Sequence, residues 1–295
     1  MLFQKPITEI ISQRYSCRSY RPEPIAAETQ QRLQDYMAGL RTGPLGAPLR
    51  FDLLAASEGD RRALRGLGTY GFIRGAAGFI TGAVGPGEKN LEDFGYQMEA
   101  AVLAATALGL GTCWLGGSFT QSSFARKIGV MDGEIVPAVT ATGYAVERSL
   151  YSRLVRSQVG AERRLPRGDL FFLGRFGVPL PAGASGPYVW PLEMVRLAPS
   201  ASNKQPWRMI KDGRTWHFYL QRTPKYGPGS VVFNVMKLAD LQRVDIGIAM
   251  CHFELTAREL GLGGKWVQMK PGLEIPDERT DYEVSWVESD EIGYN

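Results

Sequence analysis

Histidine and cysteine are scarce in this chain of 295 residues: His217 and His252, with Cys17, Cys113 and Cys251, are the full complement. The cysteines lie far apart without metal-ligand spacing, which argues against a structural zinc site. No Ser-His-Asp or Cys-His set is recognisable, because His217 falls in a strand-like run and His252 in an apolar, helix-like one. Long hydrophobic runs are missing too. The longest apolar-leaning stretch, Gly95 to Leu115, is broken by Gln97 and Glu99 and reads as a buried helix entering a strand, not a membrane span. Met1 to Ile11 lacks the charged start and apolar stretch of a secretory signal. The net charge of +4 is spread along the chain, without the dense basic stripe of a nucleic-acid binder. These absences predict a soluble, cytoplasmic protein with no nucleic-acid and no membrane partner.

What is present is ordinary globular material, 44% hydrophobic and 11% aromatic, in a chain long enough for two domains. Chemistry-bearing residues gather in two distant segments. Arg14-Tyr15-Ser16-Cys17-Arg18-Ser19-Tyr20-Arg21 is a knot of cations and hydroxyls suited to a phosphate, because guanidinium forks are permanently charged donors. Ala198-Pro199-Ser200-Ala201-Ser202-Asn203-Lys204-Gln205-Pro206-Trp207 is a loop of amides and hydroxyls suited to a planar, hydrogen-bonding ring. Each looks like half of one site.

An internal repeat explains their separation. Asp93-Phe94-Gly95 leads through an Ala-rich apolar helix to Leu108-Gly109-Leu110-Gly111-Thr112-Cys113-Trp114, and Asp245-Ile246-Gly247 leads to Leu260-Gly261-Leu262-Gly263-Gly264-Lys265-Trp266. Asp, Gly, the Leu-Gly-Leu-Gly turn and Trp recur in one register. Apolar residues on nearly every face mark both segments as core helices. Gly109 and Gly261 stand where a helix end needs positive φ, and Thr112–Leu115 and Lys265–Val267 read as buried strands. Trp114 and Trp266 read as core.

The flanking pattern predicts helices over Ile7–Gln13 and Ala27–Leu40 and strands over Phe51–Ala56, Ala77–Val84 and Ile135–Tyr144. In the second half it predicts a helix near Leu192–Leu197 and a hairpin turning at Asp212-Gly213. A helix from about Leu238 and a strand near Tyr282–Val287 complete that half. Phe171 to Gly186 is turn-rich, with Pro179, Pro181, Gly183 and Gly186. In the first half, Arg41 to Arg50 takes the place of the amide loop and carries no Asn or Gln.

These segments resemble the FMN-dependent nitroreductase family. Its Arg-Arg-Ser-x-Arg-x-Phe-like opening is matched by Arg14 to Tyr20, and its Pro-Ser-x-x-Asn-x-Gln-Pro-Trp loop by Pro199 to Trp207. Its Gly-Leu-Gly-Thr-x-Trp element is matched by Gly109 to Trp114. Tyr15 and Tyr20 depart from the common pattern. The resemblance implies an α+β, nitroreductase-like fold. Two related lobes would form an intramolecular pseudo-dimer, with residues 1–172 as one lobe, 173–186 as linker and 187–295 as the other.

It further implies one FMN, held at its phosphate by Arg14, Tyr15, Ser16 and Arg18 and bordered at its ring by Pro199, Ser200, Ala201, Asn203 and Gln205. Gln205 reads as either a ligand or a loop brace. Leu115, Gly116 and Gly117 resemble the segment whose backbone amides approach the ring. Arg163 and Arg164 resemble a basic element that also reaches the phosphate, and read equally as an exposed charge pair.

The implied activity is NAD(P)H-driven reduction of a small-molecule electron acceptor, a nitroaromatic, quinone or related compound, by a monomeric chain. The flavin would carry the hydride and the protein would supply position and electrostatics. A non-redox flavin carrier or sensor remains open as an alternative, as do a flavin-modifying or dehalogenating enzyme on the same fold and a degenerate structural partner.

Overall fold

A computed structural model describes residues 3–55, 73–116, 126–146, 163–224, 226 and 239–289. A four-stranded antiparallel sheet and a five-stranded mixed sheet flank a pair of central helices. In the first half, α1 (Ile7–Gln13) and α2 (Ala27–Ala38) precede β1 (Leu49–Ala55) and β2 (Gly78–Val84). The long α3 (Asn90–Ala107) is followed by β3 (Gly111–Gly116) and β4 (Ala138–Gly143), and the sheet order is β1-β2-β4-β3. The second half contains β5 (Phe171–Leu173), α4 (Val189–Leu197), β6 (Trp207–Asp212) and β7 (Thr215–Gln221). It ends in α5 (Leu241–Glu259), β8 (Gly264–Val267) and β9 (Thr280–Glu288). Its sheet order is β5-β6-β7-β9-β8, so β6-β7-β9-β8 repeats the first sheet strand for strand.

The repeated Asp-x-Gly motif has a packing cause. A Cβ at Gly95 would overlap the Val244 carbonyl, and one at Gly247 would overlap the Glu92 carbonyl. Glu92 and Val244 hold the same place in the repeat, so α3 and α5 cross reciprocally, backbone against backbone, where only glycine fits. Ala101, Ala104, Ala105, Ala249 and Ala257 around this crossing are buried in one core that also takes in Phe94, Leu192, Trp216 and Phe253 from both halves. Gly109 (φ 81°) and Gly261 (φ 72°) end the two helices in the left-handed region.

The predicted elements are present, most with ends shifted by one to three residues, and three differences are informative. The helix near Leu192 begins earlier, at Val189, with Pro191 in its first turn, where a missing N–H costs nothing. Lys265–Val267 is not buried: Lys265 is exposed and Trp266 half-buried, because β8 is an edge strand of its sheet. Phe171–Leu173, within the turn-rich stretch, runs parallel to β6 as the outermost strand of the second sheet. Ala56, predicted as strand, lies outside the described residues. Among the described residues no helix is long and apolar enough to cross a membrane.

Candidate functional site

The Arg14–Arg21 segment leaves α1 and lies beside the first sheet. Ser16 bridges to Thr112 on β3, Cys17 N–H donates to the Thr112 carbonyl at 2.8 Å, and Tyr20 N–H donates to the Arg74 carbonyl at 2.9 Å. Cys17 and Tyr20 are buried in this run, whereas Arg14, Ser16 and Arg18 are only partly buried. Cys17 thus has the small buried role and is one of three buried cysteines.

The amide loop is strained and heavily braced. Ser202 (φ 50°), Asn203 (φ 53°) and Gln205 (φ 49°) all sit in the left-handed region, unusual for side-chain-bearing residues and outright rare in so close a group. Gln205 N–H donates to Ser200 Oγ at 2.9 Å, and Ala201 N–H donates to Asp245 Oδ1 at 2.9 Å. The side-chain amides reach sideways to residues 163–165. Asn203 Nδ2 donates to the Arg163 carbonyl (2.9 Å) and Asn203 Oδ1 accepts from Arg164 (3.1 Å). Gln205 Nε2 donates to the Arg163 carbonyl (3.2 Å) while its Oε1 accepts from Leu165 N–H (2.9 Å). Trp207, fully buried, seats the loop on the core.

Between these two segments lies a cavity of about 330 Å³. Of the predicted site residues, it brings together Arg14, Tyr15, Ser16, Arg18, Gly116, Arg164, Pro199, Ser200, Ala201 and Asn203. Leu115, Arg163 and Gln205 do not line it, and Gly117 lies outside the described residues. Arg163 is exposed and accepts through its carbonyl, and the Gln205 side chain is bonded to that carbonyl and to Leu165 N–H. Arg164 uses Nη1 and Nη2 on the Leu197 and Ala198 carbonyls at the end of α4 as well as on Asn203. Burial, and then the nearby charges of Arg14 and Arg196, push its pKa down to about 10.

Sequence reasoning missed several lining residues. Trp114, read as core, is half-buried and faces the cavity, and Leu241, Val244 and Ile248 on α5 form its apolar wall. Ser202, Tyr226, Ala138 and Asp245 also line it. Asp245 carried a signal in the repeat, but an Asp in the first turns of a helix reads as a cap. Behind the cavity, fully buried Glu99 accepts from Trp114 Nε1 (2.7 Å) and lies 3.0 Å from His252 Nε2 and 3.7 Å from Arg14 Nε. It holds Arg14 and Trp114 in place. Neither His252 nor His217, which faces Ser285 Oγ at 2.7 Å, lines the cavity.

Three guanidinium groups, an apolar wall and one carboxyl make a site for an anion joined to a flat, partly apolar body. A family model described as "Putative TM nitroreductase" matches residues 6–169 and 188–257, well over half of the sequence and both sides of this cavity. The chain belongs to that nitroreductase family. The unmatched gap coincides with β5 and the turn after it. A nitroreductase structure from Thermotoga maritima is 23% identical and covers 96% of this chain and 94% of its own, with a TM-score of 0.57, which shows a shared nitroreductase fold. One from Desulfovibrio desulfuricans, solved in complex with FMN, is 24% identical over 55% of this chain and 99% of its own, with a TM-score of 0.40. A nitroreductase family protein from Clostridium novyi is 20% identical over 48% and 87%, at 0.41. No curated protein matches the sequence.

Proposed function

We propose that this nitroreductase-family chain is an FMN-dependent oxidoreductase with one flavin site, formed between two lobes that act as a fused pseudo-dimer. The observation that carries this reading is the convergence, in one cavity, of the Arg14–Arg18 cations from one half with the Pro199–Asn203 loop from the other. The residues present fit the cofactor. Arg14 and Arg18 line the cavity, the Glu99 carboxylate stands 3.7 Å from Arg14 Nε behind it, and the volume suits a ligand of that size.

Arg14 and Arg18 bind the phosphate, with Ser16 beside them, and the Glu99 carboxylate keeps Arg14 oriented. Arg164 braces the loop and adds positive potential. The Pro199–Ala201 backbone borders the ring, while Leu241, Val244, Ile248 and Trp114 exclude water from it. Bound flavin supplies hydride transfer from NAD(P)H to a nitroaromatic, quinone or related acceptor. No acid–base residue is required of the chain, consistent with both histidines lying away from the cavity.

Purified protein titrated with FMN should bind one equivalent per chain, with quenched flavin fluorescence. A chain that ignores added FMN overturns the reading. Anaerobic mixing with NADH or NADPH should bleach the bound flavin, and a flavin that stays oxidised marks a carrier or sensor instead.

A further inference from the structure

Among the described residues, Asp245 is the one carboxyl lining a cavity otherwise rich in arginine. It is 2% exposed, and its two oxygens have different fates. Oδ1 accepts from Ala201 N–H at 2.9 Å, and Oδ2, also buried, has no hydrogen-bond partner among the described residues. A buried carboxyl oxygen left bare is expensive, and native proteins keep such an atom where something else satisfies it.

Its counterpart in the repeat is fully satisfied. Asp93 Oδ1 accepts from Leu45 N–H and Oδ2 from Ala47 N–H, both at 2.7 Å, so the first-half loop closes over both oxygens. Aligning Ala47-Pro48-Leu49 with Gln205-Pro206-Trp207 at the starts of β1 and β6 makes Asn203 and Gln205 the matching donors. Those two N–H groups are turned back into their own loop. Asn203 N–H donates to the Ser200 carbonyl at 3.0 Å and Gln205 N–H to Ser200 Oγ at 2.9 Å. Ser200 therefore takes over the closure that Asp93 performs in the first half, and Asp245 Oδ2 is left without one on a residue that lines the cavity.

We propose that Asp245 Oδ2 is a ligand-binding position of this cavity, hydrogen-bonding an acceptor atom on the uncharged part of the bound flavin. The assignment rests on the flavin reading above. The arginines serve the phosphate, which leaves the uncharged part of the ligand to Asp245. Burial, reinforced by Asp240 at the start of the same helix, pushes the Asp245 acid well above the usual carboxylate range. In the acid form that this shift favours, Oδ2 donates its O–H to a ring carbonyl or ring nitrogen.

The test uses the full chain with FMN and with riboflavin, which lacks the phosphate. Asp245→Leu should weaken both by a similar factor of about ten, the value of one lost hydrogen bond, whereas Arg18→Ala should weaken FMN alone. Asp245→Asn, which keeps the shape and a donor, should bind both within about threefold of wild type. Infrared difference spectra on adding riboflavin should show a carboxylic-acid carbonyl band that shifts on binding and is missing from the Asn variant, which a merely loop-bracing carboxyl would not give. A folded Leu variant that binds riboflavin like wild type, or a band that does not move, overturns the assignment. Failure of the wild-type chain to bind either flavin overturns the functional reading together with it.

Discussion

Two places in this molecule share one plan and differ in what fills them. In the register that lays Asp93 on Asp245, Leu241 and Val244, which wall the cavity, correspond to Lys89 and Glu92. Around Asp93 those charged side chains join a buried ion cluster across the two halves. Lys89 pairs with Glu283 of β9, and Arg243 Nε lies 2.7 Å from Glu92 Oε1. The loop beside it has no amide side chains, and the backbone N–H groups of Leu45 and Ala47 are taken up by Asp93. Short apolar side chains leave room at one place, and paired charges close the other. The lesson is that a handful of positions on one helical turn and one loop decide whether a copy of this fold is a site or a clasp.

The comparison breaks most severely where both halves depend on the same contact. Gly95→Ala or Gly247→Ala forces a Cβ into a carbonyl of the opposing helix. Each should cost about 3 kcal/mol or more in urea denaturation. Gly109→Ala meets nothing within 4 Å and strains only its φ of 81°, so about 1 kcal/mol is expected.

Arg18→Ala attacks the open place alone. FMN affinity should fall by about tenfold to a hundredfold, with thermal stability unchanged, as measured by fluorescence titration and calorimetry.

Glu283→Gln attacks the clasp alone. Burial and the neighbouring Glu92 raise the Glu283 pKa from 4.5 to about 7, against the opposing pull of Lys89. The folded state therefore holds a proton that the unfolded chain has released, and stability falls as pH rises from about 4.5 to about 7. The Gln variant should flatten that slope, by on the order of 1–3 kcal/mol across the window, without changing FMN affinity.

The smallest effect is expected for Asn203→Ala. It removes the ties to Arg164 and the Arg163 carbonyl, loosening the loop by about 1 kcal/mol. A fall of a few-fold in FMN affinity should follow, accompanied by faster hydrogen exchange at residues 163–165.

The repeat was legible because its markers answer to backbone geometry: glycines where helices touch or end, and a tryptophan on the strand that follows. Arg14, Arg18 and the Pro199–Asn203 loop were legible because cations and hydroxyls off the core need a reason. That Gln205 and Arg163 lie off the cavity was not legible, since an amide or a carbonyl offers the same chemistry to protein and to cofactor. Leu241, Val244 and Ile248 read as core because a cavity wall and a core face share one periodicity. The exposure of Lys265 and the pairing of Phe171–Leu173 depend on strand order, which no local pattern encodes.

The crossing of α3 and α5 joins two halves that one polypeptide already tethers. Dilution cannot separate them, so at a fixed free flavin concentration the thermal midpoint and cofactor occupancy should be independent of protein concentration, unlike those of an assembly of separate subunits. The tether also removes the constraint that symmetry imposes on identical copies, where every substitution appears twice. A change at position 245 leaves position 93 untouched, and each half is free to specialise at its own pace.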